Sequence, residues 1–214
     1  MYRPAHFDEP RPEVLRRLVH DHPLGLLITP RADGGIGADP IPFLLDDDSA
    51  GGPGVLRGHV ARANPLWRET PAGAEALVVF GGPEGYVSPA WYPSKAEHGK
   101  VVPTWNYVMV QARGPLRVID DPAWLRRLVT RLTERHEGTR AAPWAVDDAP
   151  ADYVDALLRA IVGIEIPLTS LVGKWKVSQN RPAADRAGVA AGLRAEANDT
   201  ALAAEVERPG GGLA

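Results

Sequence analysis

Three short segments of this sequence carry side chains able to do chemistry. The first is Gly58-His59-Val60-Ala61-Arg62-Ala63-Asn64-Pro65-Leu66-Trp67. A strand end here delivers His59 and Arg62 beside an Asn-Pro helix start, where free backbone N–H groups and the helix dipole favour an anion. Arginine binds phosphate bidentately. Equally, Asn64 can simply cap the helix and Arg62 can be solvated; this segment alone leaves both readings open.

The second segment is Tyr86-Val87-Ser88-Pro89-Ala90-Trp91-Tyr92 together with Val102-Pro103-Thr104-Trp105-Asn106-Tyr107. Aromatic rings, hydroxyls and an amide crowd together on a proline-stiffened backbone. Such a wall suits a flat heteroaromatic ring whose polar edge is read by the wall's hydroxyls and amide, or else an aromatic plug inside a barrel or a dimer interface. Lys95, His98 and Lys100 lie in the intervening loop, placed to cover such a site. The third segment, Lys174-Trp175-Lys176-Val177-Ser178-Gln179-Asn180-Arg181, alternates basic, amide and hydroxyl groups and suits a second phosphate contact, an inter-subunit contact or a plain surface turn.

The remaining clusters point to solvated surface. The pair His20-x-His22 sits at a predicted helix end, where the two side chains diverge. Asp46-Asp47-Asp48 lacks the spacing and closing glutamate of a calcium loop and reads as a solvated hairpin tip. Arg127, Arg131 and Arg135 form an i, i+4, i+8 stripe that could touch DNA, but with Glu134 and Glu137 nearby it reads as a solvated face. There is no phosphate loop, Gly-x-Gly-x-x-Gly, Gly-x-Ser-x-Gly or His-Glu-x-x-His motif. With no cysteine, thiolate catalysis, disulfides and cysteine-ligated metals are excluded.

The elements that must position these groups are mostly strands. A helix is predicted over 12–22, with Pro12 in its first turn and Val14, Leu15, Leu18 and Val19 on one face. Strands follow at 24–28, 40–45, 55–60, 76–80 and 107–119, the last alternating Val108, Val110 and Ala112 against Tyr107, Met109, Gln111 and Arg113, with Pro115 marking a bulge or an edge. Asp121-Pro122 opens a helix with the stripe Trp124, Leu125, Leu128, Val129 and Leu132; another carries Tyr153, Val154, Leu157, Leu158 and Ile161. A final strand spans Val162 to Pro167, and residues 182–214 read as one helix and a loose Ala- and Gly-rich tail, outside a domain over 1–181. Six or seven strands with helices early and late disfavour a doubly wound parallel sheet. They favour a mainly β fold, a closed or partly closed antiparallel barrel with flanking helices.

Composition agrees. Of 214 residues, 22 are glycine and 21 proline, too many breakers for a helical bundle, while 44% apolar and 24% charged residues suit a packed domain. Six tryptophans against three phenylalanines hint at half-polar clefts, because the indole N–H wants a partner. A net charge of −3 offers no global attraction to nucleic acid. With no membrane-length apolar run and no signal-peptide layout, a soluble cytoplasmic protein is expected, with no membrane partner.

Taken in order, Met1-Tyr2-Arg3-Pro4 with Phe7, Gly58-His59 with Asn64-Pro65-Leu66-Trp67, Ser88-Pro89-Ala90-Trp91-Tyr92, Val102-Pro103-Thr104-Trp105-Asn106-Tyr107, Gly163 and Ser178-Gln179-Asn180-Arg181 resemble the PaiB family of FMN-binding transcriptional regulators. The resemblance covers about residues 1–195. It implies a pyridoxamine-phosphate-oxidase-like split β-barrel, a homodimer with FMN in a groove between chains, and a role as a negative regulator of transcription. On that basis the expected cofactor-binding residues are Pro42 (from a strand beside the isoalloxazine), His59, Arg62, Asn64, Ser88, Trp91, Tyr92, Trp105, Asn106, Lys176, Gln179 and Arg181. Arg62, Asn64, Lys176 and Arg181 are the expected phosphate contacts; Trp91, Tyr92, Trp105 and Asn106 are expected around the ring. The competing readings are a flavin-dependent oxidoreductase using bound FMN, a flavin-free DNA-binding repressor, and a barrel that has lost its ligand. For the repressor the sequence shows no helix-turn-helix pair.

Overall fold

The computed structural model describes residues 1–48 and 51–208. Among these described residues, ten strands and seven α-helices follow one another as β1 Asp8–Glu9, α1 Pro12–Asp21, β2 Leu24–Pro30, β3 Ile36–Pro42, β4 Leu44–Asp46, β5 Val55–Ala61, α2 Leu66–Glu69, β6 Glu75–Val87, α3 Ser94–His98, β7 Thr104–Pro115, β8 Arg117–Ile119, α4 Pro122–Glu137, α5 Ala151–Arg159, β9 Ile161–Pro167, β10 Ser170–Lys176, α6 Ala183–Ala195 and α7 Thr200–Glu207. The chain forms two compact units: Met1–His22, Phe80–Gln111 and Val172–Ala214 make the first, Pro23–Val79 and Ala112–Leu171 the second.

In the first unit the strand order is β1-β10-β7-β6. Asp8 and Glu9 pair antiparallel with Lys174 and Gly173. β7 alternates as its sequence requires, with Asn106, Val108 and Val110 buried and the residues between them partly or fully exposed. α1 buries Leu15, Leu18 and Val19, the expected face. The C-terminal segment departs from expectation, forming two helices instead of one followed by loose chain. Val189, Ala190 and Leu193 of α6 and Leu202, Ala203 and Val206 of α7 are buried, and Asp199 starts α7 by accepting the Leu202 N–H at 2.8 Å. The end of the expected tail, 209–214, lies outside the described residues.

In the second unit Leu27 faces Asp39 of β3 on one side and Val78 of β6 on the other, and a second sheet runs β4-β5-β9-β8. β5 and β9 pair along their full lengths, from Val55↔Pro167 to Ala61↔Ile161. α4 and α5 pack through Leu125, Val154 and Leu158, with Trp124 and Ile161 against them. The fold is the expected mainly antiparallel sheet with flanking helices; among the described residues no sheet closes on itself, so of the closed or partly closed barrel expected, only the closed form is corrected. β10 was not anticipated, and Pro115 does mark a break, between β7 and β8.

The acidic run that begins at the last residue of β4 also differs from expectation. Asp46 is not solvated: it accepts hydrogen bonds from Arg57 of β5 and Arg131 of α4, and Arg57 also reaches Glu165 of β9 at 2.9 Å. The Arg131 bond, aided by Arg57, holds the Asp46 carboxyl below its ordinary value against the opposing effect of burial. A lowered folded-state pKa contributes stability that is complete above the unfolded value and is lost as pH falls through the folded one. The stability advantage of the native chain over Asp46→Asn should therefore be constant above about pH 5 and shrink toward about pH 3, as read from urea midpoints across that range.

Candidate functional site

The expected site residues divide between the two units. Pro42, His59, Arg62 and Asn64 belong to the second, and the other eight to the first.

In the second unit, Arg62 is held by its own fold. Its guanidinium donates to both carboxylate oxygens of Asp120, at 2.9 and 2.5 Å, and to the Arg159 and Ile161 carbonyls at 2.7 and 3.1 Å. A phosphate would have to displace this set. Asn64 acts as a local cap, accepting the Leu66 N–H at 2.9 Å and donating to Asp39 at 2.8 Å, and α2 is a single turn. Pro42 is exposed at the end of β3, opposite Leu24. His59 lines an apolar cavity of about 490 Å³ with Trp144, Tyr153 and Leu157. Its Nδ1 is buried without a partner among the described residues, and burial pushes the imidazole pKa down, keeping it neutral near pH 7.

In the first unit, Tyr92, Asn106, Lys176 and Arg181 converge on one small pocket of about 100 Å³, which Thr104 and Ser178 also line. β7 supplies Thr104 and Asn106, two residues apart and so on one face; the end of β10 and the chain leaving it supply Lys176, Ser178 and Arg181, and Tyr92 follows the Pro89–Trp91 turn. Buried Asn106 donates to the Ser178 Oγ at 2.9 Å. Ser178 has φ 65°, a left-handed conformation uncommon outside glycine, and Gln179 stabilises the turn by accepting the Val177 N–H and donating to the Trp175 carbonyl. Gln179 thus shapes the pocket without lining it. Phe7, Val102, Thr104, Ser178 and Asn180 line it and are not among the expected residues, although all five fall within the segments quoted above.

The pocket's electrostatics are one-sided. Lys176 Nζ donates to the Thr104 Oγ1 at 2.7 Å and to the Trp105 carbonyl, which leaves one ammonium proton unassigned. Arg181 stacks its guanidinium 5.1 Å from the Tyr92 ring centroid, and Lys174 lies over the Tyr2 and Tyr107 rings at 5.6 and 5.4 Å. None of the three cations forms an ion pair with a described residue. Burial first, then repulsion from Lys174 and Arg181, lowers the Lys176 pKa from its ordinary 10.5. The Tyr92 hydroxyl is buried with no partner among the described residues. Unpaired positive charge together with an unsatisfied hydroxyl suits an anion bearing several oxygens.

Ser88, Trp91 and Trp105 are brought together, but elsewhere. They line a separate, more open groove of about 580 Å³ with Tyr86 and three carboxylates. Ser88 Oγ accepts the Ala90 N–H at 3.2 Å and starts the 3-10 turn Pro89–Trp91. The single aromatic wall expected from the sequence is therefore two surfaces with opposite charge.

Known proteins resemble this chain at the level of sequence and of fold. Residues 1–170 match the family described as "Putative FMN-binding domain". The chain is 30% identical over 202 residues to the protease synthase and sporulation protein PAI 2 of Bacillus subtilis, covering 94% of this chain and 93% of that protein. It is 37% identical over 226 residues to an uncharacterized protein of Emericella nidulans, covering 90% of each. Among solved structures, the FAD and heme binding protein of Mycobacterium smegmatis superposes with a TM-score of 0.56 at 22% identity, over 79% of this chain and 73% of that one, a likeness of fold. These findings bear out the pyridoxamine-phosphate-oxidase-like split-barrel class, and the family model names the expected cofactor, FMN. The chain belongs to the PaiB family of FMN-binding domains.

Proposed function

We propose that this protein binds FMN through its phosphate end at the pocket of Lys176, Arg181, Tyr92 and Asn106, and that it works as a homodimeric, ligand-responsive negative regulator of transcription. The observation that carries the binding reading is the group of cations without acidic partners around that pocket. Lys176 and Arg181 would neutralise the phosphate, while the Tyr92 hydroxyl and the Thr104 and Ser178 side chains offer hydrogen bonds to its oxygens. Bound FMN would supply a redox-active chromophore.

A pocket of about 100 Å³ encloses a phosphate but not a whole flavin, since cofactor sites commonly span roughly 300–1,000 Å³. The rest of the cofactor therefore needs further cover, and a second copy of the chain is the cover that the family's fold suggests. The exposed Leu24, Leu26 and Ile36 of β2 and β3 offer apolar surface for such an association.

The regulatory role rests on similarity to PAI 2, whose name refers to protease synthesis and sporulation. The arginine stripe of α4 gives DNA contact little support, because Arg131 is committed to Asp46. The test is an FMN titration followed by a sizing column and an absorbance spectrum. A retained yellow cofactor with stoichiometric tryptophan quenching, eluting as a dimer, is expected. A colourless monomer that leaves FMN in the included volume would overturn the reading.

A further inference from the structure

The groove holding Trp91 and Trp105 has the opposite character to the cationic pocket. Its volume is about 580 Å³; Tyr86, Trp91 and Trp105 form its aromatic part, and Glu84, Glu196 and Asp199 its acidic part. Among the described residues no lysine, arginine or histidine lines it. Glu84 and Glu196 form no ion pair with any described residue, and Asp199 uses one oxygen to start α7.

The rings are set for contact. Tyr86 and Trp105 meet edge to face, 6.4 Å between centroids and 74° between planes, yet stay 48% and 56% exposed. Trp91 is held from behind by α6, where Gly188 and Gly192 have no Cβ to push it away, and its indole N–H is buried without a partner among the described residues. Two large rings left half in water are costly surface for the folded chain unless something covers them.

Charge decides what that cover is. A phosphate, a carboxylate or a flavin's anionic end would meet three carboxylates and the negative faces of three rings. A cation on an apolar stem gains from both: the stem covers ring surface while the charged head meets π faces and carboxylates. We infer that this groove is a binding site for an organic cation, an alkylammonium group of the primary or quaternary class. The inference is independent of the FMN pocket, because the two share no lining residue.

The test uses choline chloride as the probe, titrated against tryptophan fluorescence at constant ionic strength, with 3,3-dimethylbutan-1-ol as its uncharged counterpart of the same shape. Saturable quenching by choline is expected, with the alcohol at least ~10-fold weaker. Trp105→Ala and the pair Glu84→Gln with Glu196→Gln should each weaken choline binding by about 5-fold or more while leaving the thermal midpoint near the native value, because all three side chains are exposed. If Trp105→Ala should fail to fold, the carboxylate pair decides. No saturation by choline, equal binding of the alcohol, or native affinity in the carboxylate pair would each overturn the inference. A parallel FMN titration reads the other pocket, so loss of one site is distinguishable from loss of the other.

Discussion

Replacing Arg181 with alanine should weaken FMN binding by roughly 10- to 100-fold, and replacing Lys176 should do the same, with the double variant close to no binding at all. Hydrogen bonds to charged groups contribute about 1.5–3 kcal/mol, and each 1.4 kcal/mol is about tenfold in affinity. The two variants differ in what else they disturb. Lys176 also donates to the Thr104 hydroxyl and the Trp105 carbonyl, so its loss frees the start of β7. Arg181 forms no side-chain hydrogen bond or ion pair with a described residue and only stacks on Tyr92, so its variant isolates charge from structure. Native affinity in Arg181→Ala would remove the phosphate from this pocket.

The same assignment dictates a pH dependence. Free Lys176 has a lowered pKa because it is partly buried and faces Lys174 and Arg181 without an acid nearby. Binding an anion removes that penalty and raises the pKa, so proton and phosphate bind together. Affinity should hold through neutral pH and begin to fall below the 10.5 of an ordinary lysine, as pH rises through the lowered value. Lys176→Arg, whose charge does not titrate in this range, should flatten the alkaline limb measured by FMN titration.

These assignments show what the sequence could and could not reveal. Helix α1, the hairpin strands and the stripe of α4 were legible because burial imposes a period on each; of the stripe expected for α5 only Val154 and Leu158 are buried, while Tyr153 and Leu157 stay exposed and Ile161 begins β9. β10 was not: Ser170, Gly173, Lys174 and Lys176 break its apolar pattern, and its pairing with β1 lies some 160 residues away along the chain. β6 continues through Gly81-Gly82-Pro83-Glu84-Gly85, which reads as a turn; at Gly82 a Cβ would collide with Leu18 and Val108, so glycine there serves close packing. Arg62 reads from its own segment as a phosphate contact, and the partner the fold gives it, Asp120, is not legible there because it is 58 positions distant. The split of the aromatic wall, by contrast, was readable in principle. Trp105 and Asn106 are neighbours on a strand, so their side chains leave opposite faces, one to the acidic groove and one to the cationic pocket.

The second large effect concerns α6, whose role in placing Trp91 the sequence hid behind an alanine-rich composition. Gly188 and Gly192 sit one turn apart on the face toward the Pro89–Trp91 turn. A Cβ on Gly188 would lie 2.1 Å from the Trp91 carbonyl oxygen, and one on Gly192 would lie 2.3–2.5 Å from three atoms of the indole. Intrinsic propensity argues for stabilisation, since alanine is favoured over glycine inside a helix by about 1 kcal/mol. Packing argues the other way: overpacking costs about 1–3 kcal/mol, and at Gly188 the obstacle is backbone, which cannot swing aside as a flexible side chain can. Either helix or turn would have to move. The buried Asp185 resists that movement, because it accepts hydrogen bonds from the Ser94 N–H at 3.1 Å and the Ser94 hydroxyl at 2.7 Å, tying α6 to α3 just beyond the turn. Packing should therefore win, with Gly188→Ala destabilised by roughly 1–3 kcal/mol in urea unfolding and with altered native tryptophan emission as Trp91 shifts. A variant more stable than the native chain would show that helix propensity governs α6 and that the close approach to Trp91 is not a constraint.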